Sequence, residues 1–470
     1  MDRYVGIDLG TSALKVAVVA RDGSVLDGAA VSYPVYSPKP GWAEASPADW
    51  HAALGFALDA VGAAAAGARA VGIAGQMHGA VLCNAAGDAL RPAVLWPDRR
   101  AVTQIEQWQR LPEGIRARLA NPVVPGMTGP ILRWLLENEP NLTTRASVVL
   151  LPKDCLRVAI GGTPVTDRSD ASATLLWDLP ADAWSMSTLD SVGIPTRLLP
   201  SVRESSAGDG QVTLAGVLNG VPLVVGCADT AAALLASRLR PGEVQINLGT
   251  GIQVLRTVAE PWAQADPPVH LYAAADEGWY AMVAVQNGGL ALDWVRQLFT
   301  LTWPELFARA DKSSAEGVAF LPFLTGERGG VAPPSARGAW VGMSERTTRD
   351  TLIRSAVEGV AFCVRRAVEL LGTWGQPARL SGGGARSPVL RQLLADVLEM
   401  PLTYVEARSA SAVGAAMLAA RGVGDHIEPA PPAGDLVEPR PSPALADAYR
   451  TWLNMQGHLF NASRGKGAPS

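Results

Sequence analysis

A chain of 470 residues is too long for one hydrophobic core and implies two or three domains. Charged residues make up 18% of it and the net charge is −4, which leaves no basic footprint for nucleic acid or an anionic membrane. Cys83, Cys155, Cys227 and Cys363 are scattered, with no C-x-x-C pair and no histidine at ligand spacing, which argues against a disulfide frame or a zinc site and fits a reducing cytoplasm.

The first predicted element is an apolar run ending in Asp8-Leu9-Gly10-Thr11-Ser12 and resuming over residues 15–20, the pattern of a β-hairpin with a bared Gly-Thr turn. Met1 leads almost directly into it, without an export leader, and no apolar stretch reaches membrane-spanning length, so a cytoplasmic chain is expected. A third apolar strand follows, then a Pro- and Gly-rich stretch over 33–46. Residues 47–67 carry the helical stripe Trp50, Leu54, Ala57, Leu58 and Val61 and lead into a buried-type strand over 70–75. Strand and helix alternate, which is an α/β layering. Gln76-Met77-His78-Gly79 leaves the end of that strand, where an imidazole and an amide serve either the core or a hydroxylated ligand. Of the 14 tryptophans, Trp96 beside Asp98 is the one expected near a sugar.

A strand over 148–151 runs into Pro152-Lys153-Asp154, and an apolar strand over 221–225 precedes Gly226-Cys227-Ala228-Asp229 and a small-residue helix over 230–239. Asp229 thus stands at the carboxyl end of a strand, where open α/β sheets hold their ligands, and suits a general base. A helix N-cap is the competing reading, and the two roles can coexist because a carboxylate has two oxygens. The turn Arg240-Pro241-Gly242 marks the expected boundary between domains 1–241 and 242–470.

The second half opens on Val244-Gln245-Ile246-Asn247-Leu248-Gly249-Thr250-Gly251, a near repeat of the first hairpin. Either copy alone reads more readily as ordinary turn chemistry. Their recurrence points to two Gly-Thr turns facing one polyphosphate. Asn247 replaces Asp8, and a cleft for one metal-nucleotide needs only one carboxylate, so Asp8 is the candidate on the metal side. Thr347 with Asp350 resembles a capping box ahead of an apolar helical repeat from Leu352 to Val364. Gly382-Gly383-Gly384 joins a strand to a helix capped by Ser387 and started by Pro388; it reads either as a plain connection or as a loop where a purine or ribose lies against bare backbone, and three consecutive glycines favour the latter. It lacks the Lys of a Walker A loop. Residues 425–443 read as irregular, 444–459 as a last helix and 461–470 as a frayed tail.

Taken with Gly72-Ile73-Ala74-Gly75, Leu95-Trp96-Pro97-Asp98, Leu151-Pro152-Lys153-Asp154, Gly326-Glu327-Arg328 and Ala336-Arg337-Gly338, these motifs resemble the FGGY family of carbohydrate kinases over residues 3–425. The resemblance implies two ribonuclease-H-like domains of the actin, hexokinase and Hsp70 ATPase kind around a central cleft. It implies ATP and Mg2+ as cofactors and transfer of the γ-phosphoryl group to the terminal hydroxyl of a ketopentose, D-xylulose first. Another ketose, a polyol or gluconate is the alternative, and a non-catalytic nucleotide-responsive sensor a weaker one. By resemblance Asp229 is the catalytic base, Asp8 lies near the metal, and Gln76, Met77, His78, Trp96, Asp98, Asp229 and Thr230 face the substrate. Gly10, Thr11, Ser12, Lys15, Gly249, Thr250, Gly383, Gly384 and Ser387 form the implied nucleotide and phosphate set. The implied partners are a small sugar and a nucleotide, with no nucleic acid and no membrane, and a homodimer is compatible with them. Four positions depart from the family pattern: Thr230 stands for a usual Asn after the base, Pro97 for Asn, Gly251 for Ser, and Gly329-Gly330 for Thr-Pro. Closure of the cleft is expected about a hinge at residues 240–242.

Overall fold

The computed structural model describes residues 2–372, 377–406, 409–427 and 434–461. Two seven-stranded sheets organise it. In the first, Arg3–Leu9 pairs antiparallel with Ala13–Ala20, which pairs antiparallel with Val25–Ser32. On its other side Arg3–Leu9 runs parallel to Val71–Gly75, which in turn pairs in parallel with Cys227–Ala228. The second sheet repeats the plan: Val244–Leu248 pairs antiparallel with Ile252–Val258 and parallel with Ala378–Ser381. Each Gly-Thr turn therefore tops the central hairpin of its own sheet, and the duplication in sequence is a duplication in space. Both sheets are mixed α/β arrangements of the expected fold class.

The expected helices form. Pro47–Ala60 buries Trp50, Ala53, Leu54 and Ala57 against the first sheet, and Ser387 caps Pro388–Leu398 with its side chain accepting from the Leu390 N–H. Three expectations need correction. Val25–Ser32 is an edge strand whose side chains are largely exposed, with only Ala29 and Val31 packed against the core. Helix Arg349–Leu370 is capped by Thr348 and not Thr347, since it is the Thr348 hydroxyl that accepts from Thr351 N, while Asp350 pairs with Arg309 at 3.0 Å. The Pro-rich stretch contains Asp435–Val437, which adds a last strand to the second sheet. The predicted tail lies almost entirely outside the described residues.

One feature cuts across the expected boundary at 241. Helix Ala410–Gly422, late in the chain, packs on the first sheet. The approach is close enough to require glycine on the strands: a Cβ on Gly6 would stand 1.7 Å from the Ala412 carbonyl oxygen, and one on Gly72 would stand 2.0 Å from that of Ala415. The same helix presses Gly414 onto Ala232 of helix Asp229–Ser237. A shared apolar layer of small residues, with Tyr280 and Met282 from the second sheet, thus joins the two halves behind the site. No helix among the described residues is long and apolar enough to cross a membrane.

Candidate active site

Side chains of the two halves meet around Met77, His78 and Trp96, which touch Tyr280, Tyr272 and Arg328 respectively. Asp8 lies near the end of its strand and is 5% exposed; its Oδ1 has no hydrogen-bond partner, and its Oδ2 is 3.6 Å from the Lys15 ammonium. Burial holds the Asp8 carboxyl above its usual range, with Lys15 opposing. Asp229 is the first residue of its helix. Its Oδ1 accepts from the Thr230 N–H at 2.6 Å and from the Thr230 hydroxyl at 3.1 Å. The N-cap expectation is corrected: Ala228 holds the cap position, and Asp229 engages only the adjacent Thr230, through one oxygen. Burial first, and then the nearby Asp8 charge, push Asp229 up to about 7.

A buried ionic network sits beneath Asp229. Lys153 Nζ lies 2.6, 3.1 and 3.2 Å from carboxylate oxygens of Asp154, Asp167 and Asp170. Burial alone would pull the ammonium down, but the three carboxylates together hold it charged. Asp167 also accepts from the Ser169 N–H and hydroxyl, and Ser169 Oγ accepts from the Ala228 N–H at 2.9 Å. The strand that delivers Asp229 is thereby tied to Lys153 through two side chains.

The first turn is held from below. Tyr33 donates its hydroxyl to the Gly10 carbonyl. Gln76 is 1% exposed, with Nε2 3.5 Å from both that carbonyl and the Tyr33 hydroxyl. It braces the Gly-Thr turn through Nε2, while its Oε1 is buried without a partner. The expectation for Asp98 is corrected: fully buried, it accepts from Ala43 N and pairs with Arg100 through both oxygens, so no lone pair is turned to the cleft. Trp96 does reach the site, where its indole N–H donates to Thr11 Oγ1 at 2.8 Å. The second turn is exposed at Gly249 and Thr250, and Asn247 lies against Gly382, so the turn and the glycine loop with Gly383 and Gly384 form one surface. The Ser387 hydroxyl is used as a helix cap.

On the acceptor side, Met77 Sδ accepts weakly from Tyr280 of the second sheet at 3.6 Å. His78 has φ +64°, a costly backbone for a side chain of its size, which aims the ring across the cleft. Its Nδ1 lies 2.6 Å from the Ala173 carbonyl, and a carbonyl only accepts, so Nδ1 carries the proton and Nε2 keeps a lone pair. Burial lowers His78 to about 4, so the ring is neutral.

Four residues in this neighbourhood were not anticipated individually. His270 and Tyr272 stack in the second half, the Tyr272 hydroxyl 2.7 Å from His270 Nδ1, and Tyr272 meets His78 edge-on. Glu327 fixes the adjoining loop by accepting from the backbone N–H groups of Gln286, Asn287 and Arg328 and from the Asn287 amide. The Arg328 guanidinium lies over the Trp96 ring, 5.5 Å from its centroid. His270 and Tyr272 could have been found from their period-two spacing, which sets both rings on one face of a strand.

The comparisons fit this geometry. The N-terminal domain of the FGGY family of carbohydrate kinases matches residues 3–236, and the C-terminal domain of the same family matches residues 244–423. The chain belongs to the FGGY family of carbohydrate kinases. It is 35% identical to the xylulose kinase of Escherichia coli (strain K12) over 434 residues, covering 89% of each chain. The solved xylulose kinase from Rhodospirillum rubrum superposes with a TM-score of 0.89 at 26% identity, covering 98% of this chain and 100% of that one. The gluconate kinase from Lactobacillus acidophilus superposes with a TM-score of 0.89 at 21% identity, covering 99% of each, so the fold alone does not select the acceptor.

Proposed function

We propose that this carbohydrate kinase transfers the γ-phosphoryl group of ATP to the terminal hydroxyl of D-xylulose. The observation that carries the reading is the placement of Asp229, with one free oxygen and a pKa raised to about 7, near Asp8 and Lys15 of the first hairpin. Phosphoryl transfer through a loose transition state asks for positioning and charge neutralisation more than for a strong base. The N–H groups and hydroxyls of Thr11, Ser12 and Thr250 hold the phosphate chain, the Gly10 and Gly249 N–H groups being spent closing their own turns, and Lys15 adds a cation beside it. Asp229 accepts the hydroxyl proton as the oxygen attacks.

Asp8 fits a magnesium ion: its Oδ1 is a buried oxygen without a partner. Among the described residues no group of three or more metal-binding side chains stands together, which suits Mg2+ held by one carboxylate, phosphate oxygens and water. When bound, the ion supplies charge neutralisation on the phosphates. Closure of the cleft about residues 240–242 would exclude water from the acceptor.

With Asp229 as the base, kcat/KM for the acceptor is expected to fall on the acid side of about 7, because only the ionised carboxylate accepts the proton. Lys15 opposes the upward shift, so Lys15→Met should move this bend to higher pH. A pH-rate profile of the two proteins checks both; a bend below about pH 5 would assign the titration to another group.

A second reading, an acceptor other than xylulose, is favoured by Thr230, which is 9% exposed and already donates its hydroxyl to Asp229. ADP release with D-xylulose, D-ribulose, L-ribulose, glycerol and gluconate decides between them. D-xylulose is expected to give the highest kcat/KM, and a different leader in that panel would replace it.

A further inference from the structure

We propose that Arg328 is a specificity-determining residue of the acceptor pocket, donating to a carbonyl or carboxylate oxygen at the end of the acceptor remote from Asp229. The proposal rests on the kinase reading above and adds a residue from the second half of the chain to the acceptor side of the site.

Arg328 is half-buried, and its Nε is fully buried without an acceptor. Its side chain makes no hydrogen bond or ion pair among the described residues, and its aromatic contact with Trp96 supplies no acceptor atom. Burying a cation without a partner is costly, so such a group is expected where a ligand completes it. The nearest carboxylate, Glu327, does not serve, because its two oxygens are engaged by the N–H donors of Gln286, Asn287 and Arg328. Nor do the facing rings: burial holds His78 and His270 neutral and keeps the Tyr272 phenol protonated. The loop is set to present this side chain. Gly326 has φ +80°, and a Cβ there would stand 2.1 Å from the Pro334 carbonyl oxygen.

Its location separates the acceptor from the transferred phosphoryl group. The charges that bear on Asp229 are Asp8 and Lys15, whereas Arg328 bears on His78 and His270. The reacting hydroxyl belongs beside Asp229, so Arg328 meets the other end of the molecule. There His78 Nε2 offers a lone pair and Arg328 offers N–H donors in a rigid fork. A hydroxyl that donates to His78 next to a carbonyl that accepts from Arg328 is an α-hydroxy carbonyl group, the head of a ketose. An aldonate carboxylate would satisfy Arg328 as well; a simple polyol would not.

The test compares wild type with Arg328→Met and Arg328→Lys on the five-acceptor panel, with KM for ATP, acceptor-independent ATP hydrolysis and melting temperature measured alongside. For the best carbonyl or carboxylate acceptor, Arg328→Met is expected to lose about 10- to 150-fold in kcat/KM, mostly through KM, with Arg328→Lys intermediate. Glycerol turnover, KM for ATP and basal hydrolysis should stay within about twofold. Without ligands the methionine variant should melt no lower than wild type, because it removes an unpartnered buried charge. An equal loss on glycerol, a raised KM for ATP, a wild type that prefers glycerol, or a methionine variant that melts well below wild type would each overturn the proposal. A wild type that prefers gluconate would sink the xylulose reading alone, and Arg328 would then stand or fall on the loss measured with gluconate.

Discussion

Asp229→Ala is expected to lower turnover by about 10²- to 10⁴-fold, the usual contribution of a positioned base, while ATP binding stays nearly intact. The partition follows from geometry. Asp229 holds no part of either turn: its engaged oxygen bonds only to Thr230, and its other oxygen makes no hydrogen bond among the described residues. Removing a carboxylate beside Asp8 also relieves like-charge repulsion, which leaves the phosphate side no worse off. Single-turnover ADP release and nucleotide titration check the two halves of the statement. Undiminished turnover would return Asp229 to a helix-start role, and a lost nucleotide affinity would place it on the phosphate side. Asp229→Asn retains the acceptor oxygen for Thr230 and should be as slow as alanine if proton acceptance is the missing step.

The second large effect is structural. Gly6→Ala and Gly72→Ala should each destabilise the fold by about 3 kcal/mol or more, since the added methyl meets backbone that has no rotamer to adopt. At Gly6 the obstacles are the Ala412 carbonyl oxygen at 1.7 Å and Ala416 N at 2.8 Å; at Gly72 the Ala415 carbonyl oxygen lies at 2.0 Å. Relief requires helix Ala410–Gly422 to lift from the first sheet, which would also loosen its contact with helix Asp229–Ser237 and displace Asp229. Thermal denaturation checks the prediction, with Gly55→Ala as a control, because a Cβ there meets nothing within 4 Å. A melting temperature for Gly6→Ala within about 2 °C of wild type would mean that the seam is slack.

Much of this site was legible in the chain because its chemistry is local. A strand, a Gly-Thr turn and a returning strand are contiguous residues, so the two hairpins that carry Asp8, Thr11, Gly249 and Thr250 could be read from pattern alone. Asp229 was legible as a carboxylate where strand meets helix. The expectation for Asp98 fails because sequence shows that a carboxylate follows a tryptophan but not which way its side chain turns. Arg100 and the Ala43 N–H decide that. Arg328 was quoted as part of a motif without a role, since its significance lies in what it lacks, and an absent partner is visible only in three dimensions. Helix Ala410–Gly422 was hidden for a related reason: its apolar, small-residue composition marks it as buried but does not say in which half of the molecule.

That helix has a consequence for how the protein is made. The sheet bearing Asp8 is synthesised first, yet the face lined by Gly6 and Gly72 has no cover until residue 422 has left the ribosome. At roughly 5–20 residues per second, the interval after residue 241 is on the order of ten seconds or more. During that time the nascent amino-terminal half exposes an apolar surface that its own later sequence will fill, so it should depend on chaperone protection more than its sequence order suggests.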